Sequence, residues 1–93
     1  MKISVNENNI KYIIDDMSEH RINLGFNDIH NHGFQVVDHI IDKLHKEMLD
    51  KKVGESEEVT VYGDNIEAKM IARKLEDKLK REVIINPAEN NII

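Results

Sequence analysis

Residues 27–39, NDIHNHGFQVVDH, hold the densest group of side chains able to do chemistry: His30, His32 and His39 beside Asp28 and Asp38. Imidazole nitrogens and carboxylate oxygens are the ligand atoms that zinc and its neighbours take in sets of three or four. A histidine next to a carboxylate can also move protons near neutral pH. The H-x-H spacing would direct both rings to one side of an extended chain. Asp42 lies three residues after His39 and is spaced to orient its ring on a helix.

Helix geometry argues the other way. His39 points almost opposite the stripe of Val37, Leu44 and Met48 and so should face outward, while His45 lies at the stripe's margin. The H-E-x-x-H pattern of helical metal sites is absent. The main expectation is that His30 and His32 are loop or cap residues and that His39 and His45 are surface or boundary residues. A metal-binding protein or metal-dependent enzyme using His30, His32 and His39, with Asp28, is the alternative. No nucleophile sits at a recognisable elbow, and catalysis is not expected.

The elements that must position these groups follow from periodicity. KISV at 2–5 reads as a strand. Asn6 then offers an N-cap to a helix reaching about Glu19, because Ile10, Ile13, Ile14 and Met17 share one face. Residues 21–34 break that period with Gly25, Gly33 and several asparagines, and read as irregular. From Phe34 to about Lys51 a second helix is predicted by Phe34, Val37, Ile41, Leu44 and Met48, with ion pairs expected at 42/46, 43/47 and 46/50. KKVGESEE is a solvated loop.

EVTVYG at 58–63, a helix over 64–80 and EVIINP at 82–87 form strand, helix, strand, with Asp64 and Glu67 as a capping box. Such a unit favours a parallel βαβ crossover, and the apolar run Val83 to Ile85 predicts a strand covered on both faces. The predicted fold is α/β: a three-stranded sheet with three helices in the order β-α-α-β-α-β, one domain over 1–93.

VYGDNIEAKMIARKL at 61–75 resembles the phosphate-loop turn of flavodoxins, and EVTVYGDNIEAKMIARKLEDKL resembles the second strand and helix of the Alba family. The first resemblance implies anion binding at a helix N-terminus, but the Thr and Gly of that loop are missing and Asp64 and Glu67 would repel an anion. Alba domains are basic where this chain is acidic, and the helix alanine is displaced by one position. Neither carries functional residues over.

Composition narrows the classes. The chain has 93 residues, 40% hydrophobic, 33% charged and 4% aromatic, so its core must be aliphatic. With no cysteine, disulfides and thiolate chemistry are excluded. A net charge of -5 argues against a broad phosphate footprint, and Glu76 and Asp77 interrupt the basic run of Lys69, Arg73, Lys74, Lys78, Lys80 and Arg81. Nucleic acid is therefore not an expected partner. No apolar run approaches the length of a membrane span, cytoplasmic residence is expected, and no cofactor is implied.

The third helix carries a surplus. Ile66 and Met70 lie nearly opposite Ala68, Ile71, Leu75 and Leu79, and one helix cannot bury both sides against the same sheet. Exposed apolar patches mark interaction sites, and Ile92 and Ile93 add an apolar tail suited to a sheet edge. A small acidic interaction or regulatory module is expected, binding itself or another protein through Ile66, Met70, Ile92 and Ile93.

Overall fold

The computed structural model describes residues 1–14 and 18–87. Among the described residues eight elements follow one another: β1 (Lys2–Val5), β2 (Ile10–Ile13), β3 (Glu19–Ile22), α1 (Phe26–His32), α2 (Phe34–Asp50), β4 (Thr60–Tyr62), α3 (Ile66–Leu79) and β5 (Ile84–Asn86). The α/β class matches expectation, but the expected order β-α-α-β-α-β does not: among the described residues it is β-β-β-α-α-β-α-β, with the first helix at 26–32 and not before Glu19. The sheet differs, having five strands in the order β3-β2-β1-β4-β5.

The difference arises between residues 6 and 32. Ile10 and Tyr12 alternate inward with Ile14 as strand residues do, and β2 pairs antiparallel with both β1 and β3. A period of two therefore prevails over the helical spacing of Ile10, Ile13 and Ile14, as suits β-branched and aromatic residues. Met17 lies outside the described residues. Asn6 caps no helix; its N–H donates to Asn9 O at 2.9 Å and closes the turn into β2.

Residues 26–32, expected to be irregular, form the short helix α1. Its first turn is fixed by Asp28, whose Oδ2 accepts from the Gly25 N–H at 3.0 Å, and by the Phe26 N–H donating to Glu7 O at 3.1 Å. A Cβ on Gly25 would lie 2.2 Å from Glu7 O, so this close approach of two backbones requires glycine. Gly33, at φ 61°, separates α1 from α2.

The C-terminal half follows the predicted plan. β4 pairs in parallel with β1 on one side and β5 on the other, with α3 as the crossover between β4 and β5. The N-cap of α3 is Asn65, one residue later than expected, its Oδ1 accepting from the Ala68 N–H at 2.7 Å. β5 is an edge strand and is not covered on both faces: Val83 is buried, Ile84 half-buried and Ile85 exposed.

One sheet face carries Ile3, Val5, Ile10, Tyr12, Ile22 and Val61, which register places side by side. The helices lie over it, contributing Ile29, Val37, Ile40, Ile41, Leu44, Met48, Ala68, Ile71, Ala72 and Leu75 to a single apolar core. Arg81 ties the loop after α2 to the end of α3: its Nη1 donates to Gly54 O at 3.2 Å, to Glu57 O at 2.7 Å and to Glu55 O.

Candidate functional site

The histidines of the opening cluster do not converge. His30 and His32 belong to α1, where a spacing of two residues turns side chains about 200° apart at 3.6 residues per turn. Both are exposed, as is His39 on α2. Among the described residues no three His, Asp or Glu groups gather where they could hold a metal ion. The acids are engaged elsewhere: Asp28 caps α1, and Asp42 reaches Lys78 at 3.2 Å instead of orienting His39.

His20, which sequence reasoning passed over, is more engaged than the clustered histidines. Its ring stacks on Tyr12 with centroids 5.2 Å apart and planes 20° from parallel, and its Nε2 lies 3.1 Å from Ser18 Oγ. Burial, with the charge of Glu47 as a second cause, pushes the Tyr12 hydroxyl above its ordinary 10.0. Tyr12 is 2% exposed, which makes this pair a packing feature of the β2–β3 hairpin.

A cleft of about 550 Å³ opens beyond the carboxyl ends of β1 and β4, lined by the 6–9 turn, Phe26 and the 63–65 turn. It contains no Ser, Thr, Cys or His; its ionisable side chains are Glu7, Lys11 and Asp64. Asn65 already satisfies an N–H at the start of α3, and Asp64 stands beside it, so the turn offers an anion little.

The apolar residues of α3 give a more definite surface. Ile66 is 70% exposed, and Phe34, at the start of α2, is 67% exposed. Met70 lies between, half-buried and packed against the core. Phe34, Met70, Arg73, Lys74 and Asp77 line a shallow depression of about 190 Å³, and the Lys74 ammonium sits 5.1 Å from the Phe34 ring centroid.

The pairing of α2 with α3 creates this surface. Lys74 lies 3.6 Å from Asp38 and Lys78 lies 3.2 Å from Asp42, so a step of four along one helix matches a step of four along the other. The helices therefore run parallel, and the first turn of α2 stands beside the middle of α3. The ion pairs expected within α2 at 42/46, 43/47 and 46/50 do not form within 4 Å. Phe34 was read as a core residue of its stripe; it falls outside because α2 begins one turn before the sheet-facing surface that Val37 opens.

Ile66 and Phe34 are thus left exposed by their own chain, while Met70 is half covered by the core it packs against. Ile92 and Ile93 lie outside the described residues. The basic residues near the end of α3 are dispersed: Lys74 and Lys78 face aspartates, and Arg81 is committed to backbone carbonyls. No helix among the described residues is long and apolar enough to cross a membrane.

No protein-family model, curated protein or solved structure matches the chain.

Proposed function

We propose that the protein is an interaction module that self-associates through the α2–α3 face formed by Phe34, Ile66 and Met70, with Ile92 and Ile93 as an adjunct. The observation that carries this reading is the 70% exposure of Ile66 beside the 67% exposure of Phe34, with Met70 between them on the neighbouring turn. Burying an isoleucine or phenylalanine side chain fully contributes about 1.5–3 kcal/mol, so covering this cluster would favour association appreciably. The surrounding charges are of both signs, Asp38 and Asp77 with Arg73 and Lys74. A surface of mixed sign can complement itself, which supports a second copy as the occupant.

Sedimentation velocity over a range of concentrations tests the reading. Association that rises with concentration and is lost in Ile66→Lys, with the thermal melt of that variant unchanged, is the expected result. A strict monomer at high concentration would contradict it.

A further inference from the structure

The charges on α3 point to how the two copies would be arranged. The inference rests on the self-association just proposed. At about 100° per residue, Ile66, Arg73 and Asp77 are the outward residues of α3; Met70, half-buried, lies between them and the α2 side, so it is central to the combined α2–α3 face, with Glu67 and Lys74 on the flank toward α2. Contacts agree with this assignment, because Lys74 reaches Phe34 and Asp38 on α2. Glu67, Arg73 and Asp77 make no ion pair among the described residues.

Glu67 and Lys74 are seven residues apart, two helical turns, with Met70 almost midway between them. We propose that α3 packs antiparallel against α3 of a second copy about a two-fold axis at Met70. The axis exchanges the two ends of the flank, so Glu67 of each copy meets Lys74 of the other. Met70 meets its own symmetry mate at the centre. Ile66 lies against the aliphatic stem of the second copy's Arg73, and each Phe34 ring extends the covered floor on the α2 side.

The opposite orientation is disfavoured by the same charges. In parallel α3 helices, Arg73 of one copy and Lys74 of the other would stand at nearly the same height on facing flanks, bringing like charges together. Antiparallel packing converts the flank into two equivalent opposite-charge contacts. The mixed signs around Met70 thereby select the orientation as well as the occupant.

Charge reversal tests this with sedimentation velocity at low salt, each variant first checked for an unchanged circular dichroism spectrum. Glu67→Lys and Lys74→Glu should each weaken self-association tenfold or more. The two variants mixed in equal amounts should associate with each other, and the double reversal in one chain should recover most of the wild-type association. If the single reversals leave association unchanged, or neither combination recovers it, the antiparallel arrangement is overturned. Met70→Lys separates the two levels. Loss of association in Met70→Lys with indifference to charge reversal keeps the face and rejects the axis, whereas unchanged association in Met70→Lys rejects the face itself.

Discussion

Lys74 holds its ammonium 5.1 Å from the centroid of the Phe34 ring, yet that ring remains 67% exposed. A cation over one side of an aromatic leaves the other side and much of the edge in water. The contact therefore joins α2 to α3 without closing the surface. Exposed cation–π contacts contribute about 0.5–1 kcal/mol. Phe34→Ala should consequently lower the monomer's stability by no more than about 1 kcal/mol in urea denaturation while reducing self-association by a larger factor. A fall in stability of the size seen for a core aromatic would show that the ring is structural.

The start of α3 offers a cleaner stability test. Asn65 Oδ1 accepts from the Ala68 N–H at 2.7 Å, whereas Asp64, the cap expected from sequence, is exposed and makes no such bond. Asn65→Ala should cost about 1 kcal/mol in chemical denaturation, the usual loss for an N-cap. Asp64→Ala should change stability by less than half as much. Reversal of that order would restore Asp64 as the cap.

Gly25 is where two backbones meet, since an added Cβ would lie 2.2 Å from Glu7 O. Gly25→Ala must push α1 away from the 6–9 turn and weaken the bond from Phe26 N–H to Glu7 O. A destabilisation of about 2 kcal/mol is expected, within the range for overpacking at a tight site. Gly33→Ala provides the contrast. A Cβ there meets nothing within 4 Å, so its cost comes from the left-handed φ of 61° alone.

Alkaline stability should depend on Tyr12. Burial, and secondarily Glu47, raises its hydroxyl above 10.0, so the folded chain keeps a proton that the unfolded chain releases. Its contribution is unaffected below pH 10.0 and declines as the pH climbs through the raised value. Tyr12→Phe should flatten this part of the alkaline decline in thermal melts. An equally steep decline in Tyr12→Phe would assign the effect to other groups.

Much of the C-terminal half was legible in the sequence because several signals agreed there. On α2, Val37, Ile41, Leu44 and Met48 give a strong helical period, and the unit of β4, α3 and β5 has strand pattern and crossover length in agreement, with the cap alone shifted from Asp64 to Asn65. The N-terminal half was misread because Ile10, Ile13 and Ile14 satisfy helical and strand spacing at once. Tyr12 and the asparagine-rich turn before it were the evidence for the strand. β3, EHRI, leaves little apolar alternation to read, as edge strands often do. α1 buries Ile29 alone among its residues and owes its start to Gly25, Asp28 and Glu7, contacts that no local pattern announces.

The candidate site divides in the same way. Helical geometry alone placed Ile66 and His39 outward, as they are, whereas Met70, expected on the same side as Ile66, is half-buried and packs against the core. Phe34 is the other exception, because its place in the stripe suggests burial while the buried face of α2 begins one turn later, at Val37. The histidine cluster, dense along the chain, was dispersed by the 200° turn between His30 and His32 and by the break at Gly33.

Phe34, Ile66 and Met70 are proposed to be covered by a second copy of the chain. Sedimentation equilibrium of the wild type and Met70→Lys, run side by side over the same concentrations, tests it most directly. The wild type should show a mass approaching twice that of the 10.8 kDa chain, and Met70→Lys a single-chain mass. A wild type that remains at the single-chain mass throughout, or a Met70→Lys variant that associates equally well, would contradict it.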